Sequence, residues 1–198
     1  MDYFAGFAVG AARSPLSSLR GSVTVIRSNR LEYRALAAAD AARVAELAGN
    51  YDVAAMTARV PYPYTLVAAD QWIASLDDNE LVRAILHEGE LVGAVGLVYG
   101  EARSAEIGYW IGKPYWGRGF ATEAARALVA HAFGPLGLRR LTCGHFADNP
   151  ASARVIRKLG FTRTGTGIMW CEARGEQVET ITYARRRPVT ALLTRVAS

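Results

Sequence analysis

Gly117 and Gly119 stand directly ahead of a run whose apolar residues, Ala121, Ala124, Ala125, Leu128, Val129, Ala132 and Phe133, recur every three to four positions. That spacing predicts one buried face of an α-helix starting at Ala121, with Glu123 and Arg126 on the other side. The first amides of a helix have no partner within it, and they lie at the positive end of the helix dipole. Glycines let a ligand reach such amides without a Cβ in the way. The chemistry this allows is anion binding, above all of a phosphate or pyrophosphate. A tight turn that uses two glycines for its own geometry is the alternative that the spacing leaves open.

Two known phosphate loops do not fit. Gly112 and Gly117 have the first spacing of G-x-x-x-x-G-K-[ST], but Arg118 and Gly119 replace the Lys and Ser/Thr that would hold phosphate and magnesium. The dinucleotide fingerprint G-x-G-x-x-G accommodates Gly117 and Gly119, yet Thr122 occupies the place of its third glycine. The acidic ribose ligand expected about twenty residues later is also missing, since that region runs "LRRLTCGHF". A nucleotide-binding module of this type is therefore the weaker alternative.

The elements that would position the loop follow from pattern and punctuation. "SVTVIRSNRLEYRAL" predicts a first strand, and "DAARVAELAG" (Asp40 to Gly49) a helix with an Asp start and a Gly stop. The prolines of "VPYPYT" make a loop, after which Thr65 caps a helix containing Trp72 and Ile73. "ELVRAILHEGELVGAVGLVYG" predicts a hairpin turning at Glu88-Gly89, and "AEIGYWI" (Ala105 to Ile111) a further strand. After the glycine loop and its helix, Gly134-Pro135 is expected to end that helix through a left-handed glycine. A strand "RRLTCGHF", a short helix after Asp148-Asn149-Pro150 with a stop at Gly160, and two strands joined at Arg174-Gly175 complete the chain. Strands and helices mix without strict alternation, which favours a mixed α/β sheet over a doubly wound parallel one.

Composition narrows the function. The 198 residues suffice for one good-sized domain, and half of them are hydrophobic. No apolar stretch approaches the ~20 residues of a membrane span. The apolar patch near the start has no basic residues ahead of it, so no secretory leader is expected. Cys143 and Cys171 fall in expected strands, as buried thiols of a cytoplasmic protein rather than a disulfide framework. No His/Cys cluster has metal-ligand spacing, so no metal is expected. The net charge is +5, but residues 1–30 carry +3 and residues 185–198 carry +4, leaving the middle at −2. A nucleic-acid reader places its basic face within the fold, so no nucleic-acid partner is expected, nor a membrane.

Five stretches in order, "RLEYRAL", "PYPYTLVAADQWI", "AEIGYWIGKPYWGRGFATEA", "NPASARVIRKLGF" and the closing hairpin, resemble the GNAT superfamily of acyl-CoA-dependent N-acyltransferases. The resemblance is to the RimJ/RimL branch, whose named members acetylate N-terminal amines of ribosomal proteins. It implies the GNAT fold over residues 23–188: a central, mostly antiparallel sheet, splayed at the CoA site and flanked by helices. Residues 1–22 are then an N-terminal extension and 189–198 a tail. The superfamily's CoA signature, [Q/R]-x-x-G-x-[G/A], is met at Gly119 and Ala121, while Trp116 replaces the leading Gln or Arg. The implied cosubstrate is acetyl-CoA. Trp116, Gly117, Arg118, Gly119, Phe120, Ala121 and Thr122 would surround its pyrophosphate. The strand end at Trp110 and Ile111 would meet the pantetheine arm, as would Asn149 and Ser152, with Arg157 toward the phosphates, which Arg118, Arg154 and Lys158 could also meet unless they are simply solvated. Asn149 also suits a helix cap before Pro150, and the two roles are compatible. A homodimer is among the assemblies that the resemblance admits.

Acyl transfer to an amine needs a neutral amine and a leaving thiolate. An α-amine has a pKa near ~8 against ~10.4 for lysine, so it asks less of a base. Glu106 is the first candidate base, sharing a strand face with Gly108 and Trp110. His145, at the end of the neighbouring strand, is the second. Much of the superfamily has a Tyr five residues before the Phe of the closing "GF"; that place is Ile156 here. In this branch a Ser on the same helix is thought to substitute, and Ser152 matches it, with Tyr183 the weaker candidate. The expected function is N-acetylation of a primary amine by direct transfer in a ternary complex. The acceptor is a protein N-terminus or a small amine, and a fold that binds acyl-CoA without turnover is the other possibility.

Overall fold

The apolar run of residues 80–111 folds as three consecutive antiparallel strands, β2 (Glu80–His87), β3 (Glu90–Gly100) and β4 (Ser104–Ile111). The computed structural model describes residues 26–188, so the expected extension 1–22 and tail 189–198 lie outside the described residues. The β2–β3 turn sits where expected, with positive φ at both Glu88 (53°) and Gly89 (81°), the pair a two-residue hairpin demands. The first strand is shorter than its sequence pattern. A turn at Ser28, whose hydroxyl donates to the Leu31 carbonyl, precedes β1, and β1 (Glu32–Arg34) ends where Arg34 swings into a two-point contact with Asp40.

Among the described residues, four further strands and five α-helices surround this centre. The helices are α1 (Ala41–Ala48), α2 (Tyr51–Ala54), α3 (Leu66–Ser75), α4 (Phe120–Phe133) and α5 (Pro150–Lys158). β5 (Arg140–Phe146), β6 (Thr162–Cys171) and β7 (Glu176–Arg186) complete a seven-stranded sheet in the order β1-β2-β3-β4-β5-β7-β6. Every pairing is antiparallel except β4–β5. This is the mixed α/β sheet that the pattern favours, mostly antiparallel as the resemblance implies.

The sheet separates two large apolar cores, with a small third cluster of Ala58, Phe146 and Cys171. On one face, Leu128 of α4 and Ile156 of α5 pack on Val95, Leu97, Ile107 and Leu141. On the other, Val44 and Leu47 of α1 and Trp72 of α3 pack on Val82, Ala94 and Trp110. Leu128 is fully buried, and truncating a side chain so placed costs about 2–5 kcal/mol. The ends of α4 depart from expectation. The helix starts one residue early, at Phe120, and Gly134 closes it with φ −86° rather than in the left-handed region. A Cβ at Gly134 would meet the Ala130 carbonyl oxygen at 2.9 Å, which accounts for a glycine there.

Candidate active site

β4 leaves the sheet centre at Ile111, makes a single 3-10 turn over Lys113–Tyr115 and enters the glycine loop. Gly117 and Gly119 both adopt left-handed φ, 76° and 82°, and Gly119 is the N-cap of α4. A Cβ added at Gly117 would meet nothing within 4 Å, so the space over the loop is open to a ligand. Beneath it Phe120 is buried, faced by the guanidinium groups of Arg30 and Arg118 at 5.0 and 4.7 Å and by the His87 ring. Burial alone would raise the Glu123 carboxyl, but the Arg30 amide and side chain, each donating at 2.8 Å, hold it below the usual range. Open amides at a helix start fit the pyrophosphate of CoA.

The sheet opens next to this loop. β4 and β5 pair only at Ser104/Arg140, Ala105/Leu141 and Glu106/Thr142. Beyond Glu106 the two strands part, and a cavity of about 1000 Å³ runs between them from the glycine loop to the α1–α3 side. Glu106 lies at the vertex. Strand alternation puts its side chain on the Trp110 side, while Ile107 and Tyr109 face α4 and α5.

The structure gathers Trp110, Ile111, Trp116, Gly117, Gly119, Phe120, Ala121, Thr122, His145, Asn149 and Ser152 around that cavity together with Glu106. Trp116, in the place of the usual Gln or Arg, donates its indole N–H to the Ile111 carbonyl at 2.7 Å. One acceptor at the end of β4 is thereby engaged by the chain itself, although a carbonyl keeps a second lone pair. Asn149 caps α5 by accepting the Ser152 N–H at 2.9 Å, which leaves its amide NH₂ for a ligand. His145 is buried with both nitrogens engaged. Its Nδ1 is 2.7 Å from the Phe146 carbonyl and donates there, and its Nε2 is 3.2 Å from the Tyr183 hydroxyl, from which it accepts when the ring is neutral.

Two expected cofactor residues stand elsewhere. Arg157 is exposed and does not line the cavity; Arg154 and Lys158 do, because Ile156 and Leu159 turn into the core and fix the phase of α5. Arg118 lies over Phe120 rather than on the cavity wall. Ile156, at the position of the superfamily's Tyr, is fully buried in the core. A hydroxyl the sequence reading did not select, that of Tyr109, lies 2.9 Å from Ser152 Oγ. Burial, and then the charge of Glu106, push the Cys143 thiol far up, which disfavours a nucleophilic thiolate.

The opposite end of the cavity is walled by Tyr51, Met56, Tyr64 and Trp72 with Arg174 of the β6–β7 turn and Glu176 at the start of β7. Tyr64 and Trp72 are buried, whereas Tyr62 is exposed and meets Tyr51 edge-on at 5.1 Å. Arg174 ties these segments together. Its Nε donates to the Ala55 carbonyl at 2.7 Å, its Nη1 to Asp148 at 2.7 Å, and its plane lies over Phe146. The Glu172 amide donates to the Ala58 carbonyl at 3.0 Å, fastening the same loop from the hairpin.

Comparison with known proteins agrees with this geometry. Residues 30–162 match the family model described as an acetyltransferase (GNAT) domain. An uncharacterized N-acetyltransferase of Bacillus subtilis, YoaA, is 36% identical over 101 residues, 50% of this chain and 57% of its own. The ribosomal-protein-serine acetyltransferase of Escherichia coli is 35% identical over 83 residues, 41% of this chain and 46% of its own. The chain thus spans about half the length of the curated relatives it matches. Mycobacterium smegmatis RimJ in complex with CoA-disulfide superposes with a TM-score of 0.71 at 21% identity, covering 85% of this chain and 84% of that one. A GNAT-family acetyltransferase from Bacillus anthracis gives 0.72 at 24% identity, covering 83% and 99%. Likenesses at that identity speak for the fold. With the family model extending over most of the described residues, this chain belongs to the GNAT acetyltransferase family.

Proposed function

We propose that the chain is an acetyl-CoA-dependent N-acetyltransferase that moves an acetyl group to a primary amine by direct transfer in a ternary complex. The observation that carries this reading is the parting of β4 and β5 immediately after Glu106, which sets a carboxylate between a phosphate-type loop and a separate cleft. When bound, acetyl-CoA supplies the acetyl thioester. The amides from Gly117 to Thr122 hold its pyrophosphate, with Arg154 and Lys158 at the edge of the same cavity. Asn149 offers its amide group to the pantetheine arm. Glu106 accepts the proton of the incoming amine through water, and Ser152 donates a hydrogen bond to the departing sulfur. Cys143, held as a thiol, takes no acyl group.

The acceptor we propose is a protein N-terminal α-amine. The resemblance to ribosomal-protein acetyltransferases supports it, and so does chemistry: with a pKa near ~8 such an amine is partly neutral at physiological pH and needs only a modest base. Two free, buried cysteines suit a reducing compartment, so the proposed setting is the cytoplasm. A screen of N-terminal peptides, amino acids, polyamines and aminoglycosides with acetyl-CoA, read by mass spectrometry, tests the proposal. The expected result is one acetyl group on a peptide N-terminus with release of CoA. A protein that binds CoA yet leaves the thioester intact with every acceptor would instead be a binder without turnover.

A further inference from the structure

The Tyr109 and Ser152 hydroxyl groups lie 2.9 Å apart across the cavity, one from β4 and the other from the first turn of α5. Tyr109 leaves its strand beyond the last β4–β5 pair, on the face shared with Ile107 and Ile111. Ser152 is held a second time, through its N–H to Asn149 Oδ1. Two hydroxyls in one hydrogen bond leave one proton to spare, and its direction matters. If Ser152 donates, the phenolic proton has to find another acceptor, and among the described residues the Tyr109 hydroxyl has no other recorded hydrogen bond. If Tyr109 donates, the Ser152 proton remains for the cavity. A phenol, with a pKa of about 10, is the stronger donor of the two. Burial pushes the Tyr109 hydroxyl up, against the smaller opposing effect of Ser152, so the phenol keeps its proton through the physiological range.

We infer that Tyr109 is the positioning residue of the thiol-side donor: by donating to Ser152 Oγ it aims the Ser152 proton at the sulfur of bound CoA. This rests on the proposed reading of the cavity as a CoA site. As the amine nitrogen bonds to the acyl carbon, the carbon–sulfur bond breaks and sulfur keeps the electron pair. The amine proton passes toward Glu106, and the Ser152 hydroxyl stabilises the thiolate by a hydrogen bond. Tyr109 loses no proton at any point. A serine hydroxyl alone in a cavity rotates among several directions; one fixed in advance loses less freedom when the charge appears.

The thiol of bound CoA reports this contact without any acceptor. Its ionisation is followed by the ultraviolet absorbance of the thiolate in wild type, Tyr109→Phe, Ser152→Ala and the double variant. The wild-type protein should hold the bound thiol below the free value of about 8.5. Tyr109→Phe should raise it by roughly half a unit to one unit, about 3- to 10-fold less thiolate at fixed pH. CoA affinity should stay within about twofold, since the donor is aligned but not removed. Ser152→Ala should raise the thiol pKa at least as far, and adding Tyr109→Phe to it should change nothing more. A Tyr109→Phe protein indistinguishable from wild type, or shifts that add in the double variant, would overturn the inference alone. A wild-type protein that does not bind CoA would overturn the underlying reading as well.

Discussion

The two ends of the cavity are built by different means. At the α4 end the chain presents backbone: consecutive amides from Gly117 onward, made reachable by two left-handed glycines. At the opposite end it presents side chains from segments far apart in sequence, Tyr51, Met56, Tyr64 and Trp72 against Arg174 and Glu176. Backbone amides suit a ligand that many proteins share, because they depend little on side-chain identity. A wall of side chains held by one arginine suits an acceptor that differs from protein to protein. Glu106 sits where the two meet. Variants at one end should therefore move CoA affinity, variants at the other should move acceptor kinetics, and any crossing over would break the comparison.

The largest expected effect is at the vertex. Glu106→Gln should lower kcat by roughly 10²–10⁴-fold, the range for loss of a positioned base, while CoA affinity stays at the wild-type value. The deficit should shrink as pH rises and the amine sheds its proton unaided. Steady-state kinetics across pH, with the acceptor found by the screen, decide this; wild-type rates throughout would exclude Glu106 as the base.

Next in size is the side-chain end. Arg174→Met removes the ties to Ala55 and Asp148 that hold the wall, and misplacing a substrate by about an ångström costs up to ~10²-fold. We expect kcat/KM for the acceptor to fall roughly 10- to 100-fold with CoA affinity unchanged. A matching loss of CoA affinity in calorimetry would show that the two ends are not separable.

The smallest effect belongs to the scaffold that both ends share. The Arg34 guanidinium, and then the Ala37 amide, hold the Asp40 carboxyl below its ordinary range although burial opposes them. A depressed carboxyl contributes stability that is present above its unfolded pKa of about 3.9 and lost as pH falls through the folded value. Asp40→Asn should cost about 1 kcal/mol at neutral pH, within the range for a lost cap or a part-exposed ion pair. It should also flatten the loss of stability below about pH 4, as followed by denaturant unfolding. Affinity for CoA should not change at all.

This contrast also explains how far the sequence could be read. The backbone end is local, so glycines before a 3.6-residue period located the loop, and Thr65 and Asn149 announced the helix starts they cap. Regular alternation gave the faces of β4. What the sequence did not show was which partner each face meets. Tyr109 and Ser152 are 43 residues apart, and nothing in either segment states that α5 lies across the gap from β4. Residue type alone does not separate Arg157 from Arg154 and Lys158, because the phase of a nine-residue helix is set by its packing, here through Ile156 and Leu159. The four residues of α2, Tyr51–Ala54, are too few to show a period. The side-chain end, assembled entirely from such distant pieces, left no contiguous signature.

The central claim, that the glycine loop is the CoA grip and is distinct from the vertex, is tested most directly by calorimetric titration of CoA into folded Gly119→Val. A β-branched residue at a φ of 82° is strained and sets side-chain bulk beside the first amides of α4. We predict at least a roughly tenfold loss of CoA affinity, about 1.4 kcal/mol, because the valine side chain stands where the ligand must approach those amides, in a protein whose circular dichroism is that of wild type. Unchanged CoA affinity in that folded variant would contradict the account.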